Sequence, residues 1–130
     1  MPSIFSKIIA GEIPCYKIAE NGHFFAFLDI FPLKEGHVLV VPKMEVDKIF
    51  DVNDQLLCEW LVFAKPIAKA IEKEFPCDRC GISVIGLEVP HAHMHLVPIS
   101  SSQDLTFTQP KLRLTPAELQ EVQRKILRNL

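Results

Sequence analysis

The sequence predicts an α+β domain built on an antiparallel sheet. Three observations predict it: the order of segments is helix, strands, helix, strands, helix; the extended segments are short runs rich in apolar and β-branched residues; and the two longer helical segments each carry one apolar stripe. The chain has 130 residues, the length of one ordinary domain, and 48% of them are hydrophobic. We therefore expect residues 1–130 to form a single domain.

The first part of the chain predicts a short helix and three strands. Apolar residues recur at helical spacing over residues 4–9, and Gly11 is placed to end that helix. Strands are predicted over residues 17–20 and 23–29, the second of which is apolar on both faces and is therefore expected to be covered on both. A loop with Pro and Gly leads to a β-branched strand over residues 37–42.

The second part predicts one long helix, two strands and a final helix. The long helix spans residues 54–75, with a kink expected near Val62 because Pro66 removes a backbone donor. Strands follow over residues 81–86 and 91–99. The last helix begins at Thr115, where a capping residue is followed by Pro at the first helical position and by Glu three residues on.

The composition of the chain indicates which partners and which cellular location to expect. The formal net charge of -2 gives no bulk attraction to nucleic acid or to acidic membranes. No apolar run approaches the roughly 20 residues that span a bilayer, and the first residues lack the plan of a signal peptide. We expect a cytoplasmic protein with no nucleic-acid or membrane partner.

Four cysteines are present, two of them spaced as Cys77-x-x-Cys80. This spacing is found in half of a zinc site and in redox pairs. A zinc site needs a second half, and the sequence has no other cysteine pair. Two unlinked thiols are the better interpretation.

Three of the five histidines alternate within a predicted strand, as His91, His93 and His95. Successive side chains of a strand point to opposite faces, so these three imidazoles are expected on one face, with neighbours roughly 6–7 Å apart. His93 then lies in the middle, flanked on both sides.

This histidine row has three interpretations. It is a polar sheet face; it is a metal site, in which His37 supplies a further ligand; or it is a covalent catalyst. Imidazole has an ordinary pKa of about 6.5 and is largely a neutral nucleophile at pH 7. A central imidazole can attack phosphorus while its neighbours hold phosphate oxygens and transfer protons.

Residues 91–97, His-Ala-His-Met-His-Leu-Val, resemble the signature of the histidine triad (HIT) family. The resemblance extends to residues 4–14, 25–32 and 36–43, which are similar to that family's opening helix and central strands. It implies a HIT-like fold: a five-stranded antiparallel sheet with one long central helix, a short N-terminal helix and a C-terminal helix. It also implies a homodimer.

The resemblance implies a role for each matching position. The family's nucleophile falls on His93, its phosphate-contacting neighbours on His91 and His95, and a fourth histidine on His37. The ribose-binding acid falls on Asp29. The apolar base pocket falls on Ile4, Phe5, Ile8, Phe27, Leu28 and Ile30, for several of which an ordinary core position is the alternative.

The sequence departs from the family pattern in two places. Leu87 and Glu88 stand where many members have an amide and a hydroxyl that contact phosphate, and a carboxylate beside a phosphate costs binding unless it turns away or pairs with a cation. Ser3 and Ser6 stand where some members have two cysteines that bind a structural zinc. Hydroxyls are poor zinc ligands, so no structural metal is expected.

The favoured hypothesis is an enzyme that needs no cofactor. It would hydrolyse or transfer the nucleotidyl group of purine nucleotide phosphoramidates or related phosphoesters, by attack at the α-phosphate and through a covalent nucleotidyl-histidine intermediate. Two alternatives stay open: a nucleotide-binding module with little turnover, and a metal-binding protein that uses the histidine row.

Overall fold

The computed structural model describes residues 2–130 and contains three helices and five strands among them. The helices are α1 (Ile4–Ile9), α2 (Asp54–Glu74) and α3 (Pro116–Leu127). The strands are β1 (Lys17–Glu20), β2 (Phe24–Leu28), β3 (Val38–Pro42), β4 (Arg79–Ser83) and β5 (Met94–Ile99). Short 3-10 turns lie at Ile49–Asp51 and Ser102–Leu105. No helix among residues 2–130 has the length and apolarity to cross a membrane.

The strands form one antiparallel sheet in the order β1-β2-β3-β5-β4. The α2 helix connects β3 to β4, and the chain then returns through β5 to pair with β3. β1 and β4 are therefore the two edges of the sheet. The predicted α+β class with a five-stranded antiparallel sheet is confirmed.

Helix ends follow the local signals in the sequence. The Ser3 side chain accepts a hydrogen bond from Ser6 N at the start of α1, and Asn53 accepts from Leu56 N at the start of α2. At α3 the capping box predicted from the sequence forms, with Thr115 and Glu118 each bonding the other's backbone N–H. These contacts satisfy N–H groups that a helix leaves without an internal partner.

The main core lies between the sheet and the two longer helices. Trp60 of α2 is fully buried there, and its indole N–H donates to the Val40 carbonyl at 3.2 Å. Alternate residues of the same strands face the other way, toward α1. There they form a smaller cluster with Phe5 of α1. The strand members of this cluster are Phe25, Phe27, Leu39 and Val41.

The last two strands have other bounds than predicted: β4 is Arg79–Ser83 instead of residues 81–86, and β5 is Met94–Ile99 instead of residues 91–99. β5 begins at Met94, three residues after the predicted start at residue 91, because the backbone before it makes other bonds. His91 N–H donates to the Val89 carbonyl in a tight turn, and Ala92 N–H donates to the Val46 carbonyl of a distant loop. Two of the three alternating histidines therefore precede the strand rather than lie within it.

The four cysteines are free thiols. Burial, with the Glu72 carboxylate nearby, raises the pKa of Cys80 to about 12, and burial also raises the pKa of Cys77. Redox and metal-binding cysteines need an accessible thiolate, which these surroundings disfavour. The geometry agrees with unlinked thiols.

Candidate active site

Three imidazoles lie in line on the sheet face that packs against α1. His95 pairs across the ladder with Leu39, a member of the smaller cluster, which fixes the face on which its ring lies. The ring centroid of His95 is 5.0 Å from that of His93 and 5.1 Å from that of His37. The observed line is therefore His93, His95 and His37, with His95 in the centre.

The ring of His91 lies outside this line. Its ring is fully buried, with Nε2 2.7 Å from the Pro42 carbonyl oxygen and Nδ1 2.7 Å from Ser3 Oγ. A carbonyl only accepts, so Nε2 carries the proton and Nδ1 accepts from the serine hydroxyl. Both nitrogens are engaged inside the protein, which corrects the expectation that His91 contacts phosphate.

One ring nitrogen of His93 is hydrogen-bonded, and the other has no partner among residues 2–130. Its Nδ1 lies 2.8 Å from the carbonyl oxygen of His91, and this nitrogen therefore donates. The neutral ring then has a lone pair on Nε2. The Phe5 ring packs edge-on against the imidazole, with centroids 4.9 Å apart, and holds its orientation. The predicted nucleophile thus has the tautomer that nucleophilic attack requires.

His37 and His95 form a directed hydrogen-bond chain. Leu33 N–H donates to His37 Nδ1 at 3.0 Å, which leaves the proton of that ring on Nε2. His37 Nε2 lies 2.9 Å from His95 Nδ1 and therefore donates to it. The remaining proton of His95 is on Nε2. The result is an N–H donor on His95 beside the unprotonated Nε2 of His93.

Burial keeps these imidazoles neutral. It lowers the pKa of His37 to about 3 and that of His95 to about 4, with smaller contributions from neighbouring imidazoles and from Lys111. Burial also lowers the pKa of His91. At neutral pH His37, His95 and His91 therefore bring no imidazolium charge to the site.

Asp29 lies at the His37 end of the line. Its Oδ2 is 3.6 Å from His37 Nε2, and its Oδ1 accepts from Phe31 N–H at 2.9 Å. Burial raises the pKa of this carboxyl, while the Phe31 bond and the charge of Lys111 oppose that change. The carboxylate is partly exposed and can accept further hydrogen bonds from a ligand.

The predicted apolar pocket is only partly assembled. Phe5 and Phe27 pack together at 5.6 Å between centroids, with Ile8 against their cluster, while Ile4 and Ile30 are each 49% exposed. Leu28 is 2% exposed and lies in the main core on the other side of the sheet. Strand alternation after Phe27 places it there, so its side chain does not line the pocket.

Asp29, His37 and His95 also form the group best placed for a cation. One ligand atom from each lies within 4.8 Å of the others. The metal site considered from the sequence used the three alternating histidines with His37, and only two of those residues are in this group. His37 Nε2 and His95 Nδ1 share one proton along their bond, and ligation would require the pair to separate.

Ser3 and Ser6, which stand where some family members have zinc-binding cysteines, take part in a hydrogen-bond network. Ser6 Oγ donates to Glu45 Oε1 at 2.8 Å, and Ser3 N–H donates to the same carboxylate. Sequence reasoning assigned no role to Glu45 or to the Ser3–His91 bond. The expected absence of a structural metal stays a prediction.

Sequence reasoning also missed the segment that follows β5. The Phe107 ring lies against His95 with centroids 4.6 Å apart, and against His37 at 6.4 Å. Nothing in this polar, proline-containing stretch marks one phenylalanine as a neighbour of the site. Only the return of the chain over the sheet reveals it.

The fold and the site together define a class of protein: a small α+β domain with a line of neighbouring imidazoles on one face of its sheet, two of which share a hydrogen bond. The HIT domain family model matches residues 10–102, and the chain belongs to that family.

Two relatives and one solved structure show the extent of the similarity. Adenosine 5'-monophosphoramidase HNT1 of Saccharomyces cerevisiae is 40% identical over an alignment of 100 residues that covers 73% of this chain and 61% of that protein. Adenosine 5'-monophosphoramidase hnt1 of Schizosaccharomyces pombe is 33% identical over 128 residues, covering 97% of this chain and 96% of that protein. A Hit-like protein from Bartonella henselae superposes with a TM-score of 0.84 at 28% identity, covering 98% and 96% of the two chains.

Proposed function

We propose that this protein is a hydrolase or transferase of nucleotidyl groups that acts on purine nucleotide phosphoramidates. One observation supports the proposal most directly: His93 has an Nε2 without a partner among residues 2–130, and the neighbouring ring of His95 has an N–H donor at its Nε2. The hydrogen bond at the other nitrogen of each ring sets this arrangement. The similarity to two adenosine 5'-monophosphoramidases supports the choice of substrate.

In this proposal His93 Nε2 attacks the α-phosphorus and forms a nucleotidyl-histidine. The bond from phosphorus to the amine nitrogen breaks as that nitrogen takes up a proton from solvent, and the neutral amine leaves. The His91 carbonyl, already bonded to His93 Nδ1–H, stabilises the positive charge that develops on the ring. Water then attacks phosphorus and gives up a proton to solvent, and the bond from phosphorus to Nε2 breaks. This releases the nucleoside monophosphate and restores the lone pair on Nε2.

The neighbours of His93 have different tasks. His95 Nε2–H donates to a phosphate oxygen, and His37 holds His95 in the tautomer that makes this possible. His91 positions His93 through its carbonyl and through the anchoring of its own ring to Ser3. Asp29 accepts from the ribose hydroxyls, and the partly exposed Ile4 and Ile30 pack with Phe5 and Phe27 against the base.

The test is release of AMP from adenosine 5'-phosphoramidate. The unaltered protein should release AMP, and His93→Ala should abolish the release because the nucleophile is lost. His23→Ala, at an exposed histidine in the turn between β1 and β2, is the matched control and should stay active. Equal activity of His93→Ala and the control would rule out the covalent mechanism.

A nucleotide-binding module with little turnover is the second candidate. It is favoured by Glu88, whose negative charge reaches Asp29 and raises the pKa of that carboxyl. A carboxylate near the phosphate lowers the rate of attack on phosphorus more than it lowers the affinity for the base and the ribose. Calorimetry with AMP, beside the phosphoramidase assay, separates the two: binding without AMP release favours the module.

We also propose that the chain forms a homodimer through the β4 edge. Ile82 of β4 is 48% exposed, next to Leu61 and Val62 of α2 at 52% and 70%. An exposed apolar patch beside an unpaired strand edge is stabilised when a second copy pairs with it, which also extends the sheet. Light scattering should give twice the chain mass, and Ile82→Asp should give the monomer. A monomeric unaltered protein would contradict the proposal.

The expected cytoplasmic location and the expected lack of nucleic-acid and membrane partners stay predictions.

A further inference from the structure

The segment between β5 and α3 is fixed over the His37 end of the site at two points. Phe107 packs against the His95 ring, with centroids 4.6 Å apart. Leu112 N–H donates to the Pro32 carbonyl at 2.8 Å, which ties the segment to the loop after Asp29. Lys111 lies between these two anchors and directly beside the second.

The positive charge of Lys111 acts on three site residues. It lowers the pKa of Asp29, His37 and His95. Its exposed side chain makes no ion pair with a carboxylate of residues 2–130. Lys34, by contrast, is paired with Asp104 at 3.2 Å. The ammonium of Lys111 is therefore available to a ligand.

A nucleotide phosphate needs such a cation at this site. The buried imidazoles are neutral, Asp29 brings a carboxylate, and Glu88 brings a second one whose charge reaches Asp29. An anionic phosphate would therefore meet negative charge without compensation. The side chain of Leu87, which is 89% exposed, has no polar group with which to bind the phosphate.

We propose that Lys111 binds the phosphate of the nucleotide, so that the segment after β5 supplies the cation that balances Asp29 and Glu88. This inference rests on the proposed nucleotide site. Lys111 acts in binding: it holds the phosphate in front of His93 and neutralises part of its charge. The carboxylate of Glu88 is then tolerated because the ammonium of Lys111 offsets part of its negative charge.

The experiment compares AMP with adenosine as ligands of Lys111→Met, using calorimetry for AMP and competition against AMP for adenosine. Loss of a charged contact to phosphate should raise the Kd for AMP about tenfold and leave the affinity for adenosine unchanged. Increasing salt should weaken AMP binding by the unaltered protein more steeply than by the variant. Lys111→Arg should keep most of the AMP affinity.

Arg113→Met is the matched control, because it removes the same charge from an exposed residue two positions away in the same segment. Equal effects of the two substitutions on AMP, or an equal loss of AMP and adenosine by Lys111→Met, would overturn the inference. Its failure is distinguishable from failure of the proposed function. If the unaltered protein releases AMP through His93 while Lys111→Met binds AMP normally, only the role of Lys111 is refuted.

Discussion

Ser3→Ala should destabilise the protein well beyond what an exposed serine would predict. The Ser3 hydroxyl makes two bonds: it accepts from Ser6 N at 3.0 Å as the cap of α1, and it donates to His91 Nδ1 at 2.7 Å. Loss of a serine cap costs about 1 kcal/mol. Loss of the second bond leaves a fully buried imidazole nitrogen without a partner, which costs about 1–3 kcal/mol. The sum is a loss of about 2–4 kcal/mol in the free energy of unfolding.

Urea unfolding monitored by tryptophan fluorescence measures this loss, since Trp60 is the only tryptophan and is fully buried. With a slope of about 2 kcal/mol per molar urea, the midpoint should fall by about 1–2 M at equal protein concentration. Ser6→Ala is the control, because its hydroxyl bonds Glu45 at the surface and should cost less than about 1 kcal/mol. A loss no larger for Ser3→Ala than for Ser6→Ala would show that the buried bond between Ser3 and His91 adds nothing to stability.

Ser3→Ala should also reduce phosphoramidase activity. The Ser3 bond holds the ring of His91, and the carbonyl of His91 in turn fixes the tautomer of His93. We expect kcat to fall while the affinity for AMP changes little. An unchanged kcat in a variant that is destabilised as calculated would show that His91 keeps its position without the serine.

The remaining predictions concern acid stability and ribose recognition. The folded-state pKa values of His37 and His95, about 3 and about 4, lie below the ordinary value of a histidine in the unfolded chain. The unfolded state therefore binds more protons once the pH falls below about 6.5, and between that pH and 5 each histidine should remove on the order of 2 kcal/mol from the free energy of unfolding. Urea titrations at pH 7 and pH 5 check this, and equal stabilities would contradict it. Asp29→Asn should weaken AMP binding about tenfold, because the charged acceptor proposed for the ribose hydroxyls is lost, with little effect on 2',3'-dideoxy-AMP. Equal loss for both nucleotides, measured by calorimetry, would place the carboxylate elsewhere than on the ribose.

Local signals in the sequence predicted the helices closely and the strands less well. The α1 helix has the predicted bounds, α2 ends one residue earlier than predicted, and the capping box at Thr115 forms as expected. These features depend on residues within a few positions of one another. The strand start at Met94 depends instead on where Ala92 finds a backbone acceptor, and that acceptor is Val46.

From the sequence alone one could predict that His93 and His95 lie together at a site on an antiparallel sheet, because residues 91–97 resemble a known signature. Which nitrogen of each ring is free could not be predicted, since it depends on contacts between distant residues. The partner of His91 is 88 positions away at Ser3, and the partner of His95 is 58 positions away at His37. An imidazole takes its tautomer from the groups that fold against it, and contacts between such distant residues exist only once the sheet, α1 and the loops have come together.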